Sequence, residues 1–306
     1  MLKEAAAIIA PVLTELFNNS LEYEEFPKAW QLGYTIPLYK SDDPQSSNNY
    51  RLITRLPALS KIFERVIYRH VYGFLRTNNL ICKNQSGLVP HDSSVNQLIS
   101  IVDFIANSLN EGNRLLAAFL DSSKAFDKVS HSGLLVKLRS KGLLDSLIRW
   151  FDSYLSFRCI VSMVDGNTSD ELSVACGVPQ GSILGPLLFL IYIDDLPLSV
   201  RSTCKLFADD VSLYITATDI TTAVKVMNQD LAGIAAWSVK WVLFLNVKKC
   251  AGMVFTLDPL ATVPLLVINN IQLDYVDKHT HLGLILAPSL SWKEHHTKKY
   301  CTTWDG

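Results

Sequence analysis

The stretch KLFADDVSLYITA, residues 205–217, sets two acids side by side between runs that otherwise read as buried strand. Two ionised carboxylates about 4 Å apart repel by about 4 kcal/mol at an effective dielectric near 20. Asp209 and Asp210 therefore mark either a solvated turn, where Asp is ordinary chemistry, or a place with something positive in front of them. The flanking apolar runs predict a β-hairpin, and the rest of the chain is read outward from it.

A second acid ends another buried run. In AAFLDSSKAFDKV (117–129), the apolar segment from Leu115 predicts a strand closing on Asp121. If that strand lies beside the hairpin, Asp121, Asp209 and Asp210 converge. Three carboxylates suit one or two hard divalent cations with oxygen ligands, Mg²⁺ first and Mn²⁺ as a substitute. Two such cations, about 3.5–4 Å apart, activate a hydroxyl and stabilise a leaving oxygen in phosphoryl transfer.

Around this centre the pattern predicts an α+β fold. Residues 1–80 read mostly helical, broken by the polar loop YKSDDPQSSNNYR, with GYTIPL and RLITRL as strands joined there. Helical spacing runs over 58–76 and puts Lys61, Arg65 and Arg69 on one face, read either as a solvated face or as a nucleic-acid contact. A helical region follows Asp121, then strands near 158–164 and 170–176. A Gly/Pro-rich loop leads to a helix from about 183, in which Ser182 is a candidate cap. After the hairpin come a helix around 219–240 and strands near 251–257, 265–275 and 281–287. The order predicts an antiparallel sheet backed by helices.

Bulk properties leave room for this reading. The chain has 306 residues, 49% hydrophobic, enough for a sizeable core and two lobes. A net charge of -1 neither predicts nor forbids a nucleic-acid partner, since a groove needs only local basic surface. Six cysteines without a C-x-x-C pair read as reduced intracellular thiols. The N-terminal apolar stretch contains Glu4, Pro11 and Glu15, which suits an amphipathic helix better than a signal peptide. The run ILGPLLFLIYI is too short to span a bilayer. The expectation is a soluble intracellular protein, nucleus or cytoplasm left open, with no membrane partner.

Three motifs in order, FLDSSKAFDKV, CGVPQGSILGPLLFLIYIDDLP and FADD, resemble the palm motifs of reverse transcriptases from non-LTR retrotransposons, especially the jockey-like group. FPKAWQLGYTIPLYKSDD and NNYRLITRLPALSKIFERVI are similar to the family's fingers segments, and NQSGLVPHDSSVNQL to the next block. WSVKWVLFLNVKKCAGMVF resembles the segment after the catalytic hairpin, and HTHLGLILAPSLSWKEH the primer-grip region. The resemblance implies a right-hand polymerase, fingers-like over 1–110 and palm-like over 111–306, with 130–178 partly fingers. It implies an RNA template, a DNA primer and dNTPs as partners. Asp121 and Asp209 would hold two Mg²⁺ ions, with Asp210 in support. Phe126 stands where the family uses an aromatic gate against a ribose 2′-OH. Gln180 matches a residue that meets the incoming nucleotide, and Gly181 lets backbone approach closely. Lys40 and Arg51 could reach the triphosphate, and Lys249, beside Lys248, lies near a lysine that protonates pyrophosphate. Asp127 reads as structural, a cap for the next helix.

Some positions depart from the family's pattern. YRLIT replaces the usual YRPIS, GLVPHDSS puts Asp92 where a basic or His residue is usual, and Ser122 replaces an apolar residue. An acid at 92 would weaken a phosphate contact. An N-terminal endonuclease and most of a thumb are also absent from the sequence as read. The competing expectation is thus a catalytically silent fragment that keeps the fold and RNA binding. A third, a metal-dependent nuclease, gives VPQGS no purpose. His279, His281, His295, His296 and Cys301 match no common zinc spacing and read as incidental.

Overall fold

The computed structural model describes residues 4–40, 43–46, 49–257, 262–291 and 295. In chain order its elements are α1 (Ala6–Glu22), β1 (Leu32–Tyr39), β2 (Tyr50–Arg55), α2 (Ala58–Thr77), α3 (Ser94–Asn110), β3 (Arg114–Leu120), α4 (His131–Ser140) and α5 (Asp145–Leu155). These are followed by β4 (Cys159–Val164), β5 (Asn167–Thr168), β6 (Leu172–Ser173), α6 (Leu184–Ile193), β7 (Thr203–Phe207), β8 (Asp210–Ala217) and α7 (Ile220–Lys240). Five short strands follow among the described residues: β9 (Ala251–Phe255), β10 (Leu266–Ile268), β11 (Ile271–Tyr275), β12 (His279–His281) and β13 (Leu284–Leu286). Contacts separate the chain into one unit of Met1–Ile81 with Lys124–Ile193, and another of Cys82–Ser123 with Asp194–Gly306.

In the first unit, β1 pairs antiparallel with β2 and parallel with β4. Its helices meet in an aromatic core. Phe17 of α1 stacks on Phe63 of α2 at 4.4 Å, and Phe63 meets Trp150 of α5 edge-on at 5.3 Å. The indole of Trp150 donates to Ser20 Oγ at 3.0 Å, so this buried ring keeps its polar atom satisfied. Helix α6 is apolar on every side and buried at every position but the half-buried Pro186, as an all-round hydrophobic helix must be. Its N-terminus is capped twice. Ser182 Oγ accepts from Gly185 N at 2.8 Å, the predicted cap. Glu64, fully buried on α2, accepts from Ile183 N and Leu184 N, setting a carboxylate at the positive end of the helix.

In the second unit the sheet order is β10-β11-β9-β3-β8-β7. Every junction is antiparallel except β11–β9, which is parallel, so the antiparallel expectation holds with that one exception. Strand β3 is buried on both faces. Leu115, Ala117 and Phe119 form a core with Ile101, Ile105 and Leu109 of α3 and with Leu284 and Leu286 of β13. The alternate residues Leu116, Ala118 and Leu120 are buried too, which gives the strand its continuous apolar run. Helix α7 packs on β3, β8 and β10.

Several elements differ from the sequence reading. The segment 265–275 is a hairpin, not one strand, because Asn269 and Asn270 both take positive φ (+50° and +64°) and turn the chain. Leu282 and Gly283 turn the last hairpin in the same way. Asp165 and Gly166 do so after β4, and the strand near 170–176 shrinks to two residues. Helix α3 is an element that the sequence pattern does not announce. Its N-cap is Ser93, which accepts from Asn96 N, and Asp92 beside it accepts from Ser93 N at 2.7 Å. An acid at a helix N-terminus is favourable, which accounts for the unusual residue at 92. No described helix is long and apolar enough to cross a membrane.

His281 carries a pH dependence. It is buried, its Nε2 has no hydrogen-bond partner, and its ring lies 5.3 Å from that of Phe119. Burial, with His279 nearby, pushes its pKa from 6.5 down to about 4. The fold therefore holds the neutral ring, while the unfolded chain takes up a proton below 6.5. The stability this confers is whole above pH 6.5 and is lost as pH falls towards 4, by about 3 kcal/mol. Urea unfolding of the wild type and His281→Leu across pH 7 to 4 should show the shallower decline in the variant.

Candidate active site

The second unit assembles the acids. Strands β3 and β8 pair from Arg114↔Ala217 to Leu120↔Val211. Extending that register by one pair sets Asp121 opposite Asp210, and opposed residues of an antiparallel pair share a face. Strands β7 and β8 close at Phe207↔Asp210. Ala208 and Asp209 are thus the two-residue turn, with Ala208 at φ +54°. Asp121 and Asp209 are half-buried and Asp210 is exposed. The sequence expectation is that Asp121, Asp209 and Asp210 converge on a shared cation; the strand register brings the three backbone positions to one end of the sheet.

The donors are all carboxylate oxygens at one end of a sheet, the set a hard divalent cation takes. Among the described residues no three His, Cys, Asp or Glu side chains are drawn together into a metal cage. The strands bring the three positions to one end of the sheet. His279 lies flat on Phe119 at 3.8 Å, and His296 and Cys301 lie outside the described residues.

The hairpin turn is held by the segment 84–87, for which the sequence motifs imply no role. Leu206 N donates to Asn84 O, Ser86 N donates to Leu206 O, and Ala208 N donates to Gln85 Oε1 at 3.1 Å. Gly87 lies so close that a Cβ there would fall 2.1 Å from Ala208 N. Asp121 is held on its other side. Its carbonyl accepts from Asn246 N at 2.8 Å, its N–H reaches Cys250 Sγ at 3.5 Å, and Ser122 bridges Leu245. Lys249 sits in the short helical turn Val247–Lys249 that these contacts frame, exposed like Lys248.

A second acidic pair, Asp194–Asp195, looks the same in sequence but does structural work. Asp194 accepts from Cys82 N at 2.6 Å, and Asp195 accepts from the Trp237 indole at 2.8 Å.

The first unit gathers the remaining candidates. Val178 N donates to Phe126 O and Gly177 N to Val129 O, which lays the 177–181 loop along 126–129. Phe126 stacks on Phe189 of α6 at 4.1 Å. Thr54 N donates to Gln180 O at 2.7 Å, and Gly181, at φ +117°, is pressed against Thr54 O, where a Cβ would come within 2.3 Å. Gly181 is thus required by both conformation and contact. The Gln180 amide donates to Asp127 Oδ1 at 2.7 Å. Asp127 does not cap α4; Ser130 does, accepting from Gly133 N. Arg51 stands opposite Leu38 in the β1–β2 register, and Lys40 follows two residues on, which puts both cations on one face of the hairpin.

The sheet carries three acids at one strand end, the chain also holds a clamped Pro-Gln-Gly loop, and the comparisons place the fold. A profile described as reverse transcriptase (RNA-dependent DNA polymerase) matches residues 39–293. The RNA-directed DNA polymerase from mobile element jockey of Drosophila funebris is 31% identical over 294 residues, covering 93% of this chain and 32% of the relative. Its counterpart in Drosophila melanogaster is 29% identical over the same span. Apo telomerase from Candida tropicalis shares the fold, with a TM-score of 0.58 at 12% identity over 86% of this chain and 48% of that one. The chain belongs to the reverse transcriptase family, in its non-LTR retrotransposon branch. It spans about a third of the length of the curated relatives it matches.

Proposed function

We propose that this domain performs RNA-directed DNA synthesis. The 3′-hydroxyl of a DNA primer, paired to an RNA template, attacks the α-phosphate of a dNTP, and pyrophosphate leaves. The observation that carries the reading is the register that sets Asp121 opposite Asp210 and next to the Asp209 turn. Asp121 and Asp209 would hold divalent cations, Mg²⁺ or Mn²⁺, with Asp210 in support. Once bound, such ions lower the pKa of the attacking hydroxyl and neutralise charge on the leaving oxygen.

The other groups bind and orient. Phe126 would stand against the sugar of the dNTP, where a rigid ring excludes a 2′-OH. Gln180 would meet the incoming nucleotide, Lys40 and Arg51 its triphosphate, and Lys249 would give a proton to the departing pyrophosphate. The division into a fingers-like part over 1–110, joined by part of 130–178, and a palm-like part over 111–306 belongs to the same proposal.

The test is extension of a DNA primer on an RNA template by the purified chain with Mg²⁺ or Mn²⁺. Template-directed products support the proposal; cleavage of the template without extension overturns it. Within that assay Asp127 has a defined effect. Asp127→Ala removes the acceptor that holds the Gln180 amide, so the KM for dNTP should rise on the order of tenfold with kcat changed little. Asp127→Asn keeps an acceptor oxygen and should stay near wild type.

A further inference from the structure

Helix α2 carries a face that the proposed chemistry leaves unused. Lys61, Arg65, Arg69 and Arg76 fall within an arc of about 80° at 100° per residue, strung over about 22 Å of helix. Lys61 is half-buried and the three arginines are exposed. No side chain of the four makes an ion pair or hydrogen bond with a described residue. The helix has a single acid, Glu64, and that carboxylate is buried and committed to Ser60, Ile183 and Leu184. Tyr68 lies at one margin of the arc and Tyr72 just within it, both half-buried, with rings 5.5 Å apart and nearly parallel. Four uncompensated cations on one helix, in a chain whose net charge is -1, are a local feature rather than a consequence of composition.

We propose that this face of α2 is a docking surface for the backbone of single-stranded RNA, apart from the strands and loop that carry Lys40, Arg51 and Gln180. Charge complementarity selects a polyanion. The first three cations recur at steps of about 6 Å, and Arg predominates, which suits repeated phosphates. Aromatic rings bordering a basic track are the pattern of single-strand binding, where bases stack while phosphates are neutralised. The basic surface stands on its own; naming RNA rather than DNA rests on the proposed function.

The experiment uses the full chain with EDTA and no dNTP, so that binding through this face is read without polymerisation. A mixed-sequence 20-nucleotide RNA is titrated by fluorescence anisotropy from 0.05 to 0.4 M NaCl. Replacing Arg65, Arg69 and Arg76 together by Gln should reduce the slope of log K against log salt by about 2 and weaken binding about a hundred-fold near 0.1 M. A charge-matched control, Lys83→Gln with Arg201→Gln and Lys225→Gln on the other unit, should stay within threefold of wild type. Circular dichroism and thermal midpoints confirm that both triple variants fold.

Affinity within threefold of wild type in the α2 variant overturns the inference, as does an equal loss in the control. Loss of poly-glutamate binding with RNA binding intact overturns it in favour of an acidic protein. A DNA strand of the same sequence bound tenfold more tightly than RNA would replace RNA as the occupant. Extension activity can fail while this binding holds, and the reverse, so the two readings are separable.

Discussion

Replacing Asp209 by alanine removes template-directed dNTP incorporation by at least about a thousand-fold while leaving the domain folded. Asp209 is the second residue of a two-residue turn, half-buried, and its backbone is outside the left-handed region, so alanine fits the conformation. A surface change of this kind alters stability by about 1 kcal/mol or less. The expected loss is catalytic. A carboxylate that helps hold a divalent ion supports several kcal/mol of transition-state stabilisation, and about 4 kcal/mol corresponds to a thousand-fold in rate. Gel-resolved primer extension, read beside thermal unfolding, checks both halves. Incorporation persisting within tenfold of wild type would remove Asp209 from the chemistry.

The second large effect comes from a residue with no functional group. Gly87→Ala places a methyl 2.1 Å from Ala208 N, 2.6 Å from Phe207 C and 2.9 Å from Phe207 Cα. All three contacts are backbone, so no side chain can swing aside. Either the 84–87 segment leaves the edge of β7, giving up the bonds at Leu206 and Ala208, or the turn itself moves. Displacement of a reacting group by about 1 Å costs on the order of a hundred-fold in rate, and overpacking costs about 1–3 kcal/mol in stability. Gly87→Ala should therefore lower both activity and the unfolding midpoint, where Asp209→Ala lowers activity alone. Gln85→Ala, which takes away only the acceptor of the Ala208 N–H, should lie between, near tenfold in rate.

The contrast between these two residues also marks what could be read from residue order. Asp121 and the 209–210 pair were legible because each closes or joins a run of strand formers, and β3 announces its burial on both faces by being apolar without alternation. The buried helix α6 was legible for the same reason, with Ser182 marking its start. Gly87, Gln85 and Glu64 were not. Their roles depend on close approach to backbone more than a hundred residues away, and nothing in NQSG or KIFERV distinguishes them from an ordinary turn and an ordinary helix face. Asp127 was placed correctly beside Phe126 but given the wrong partner, because Ser130, three residues on, is the better cap. The hairpin at Asn269–Asn270 was missed in spite of a local signal. Two consecutive residues that tolerate positive φ outweigh the apolar residues on either side.

The most direct measurement asks whether Asp121 and the turn pair act on a shared ion. Mn²⁺ is titrated into the chain in the presence of a non-incorporable dNTP analogue and followed by electron paramagnetic resonance, for the wild type, Asp121→Asn and Asp209→Asn. Binding in the wild type that each single substitution weakens at least tenfold is the predicted result. Wild-type affinity in either variant would contradict the account, because the two strands would then meet without sharing a metal.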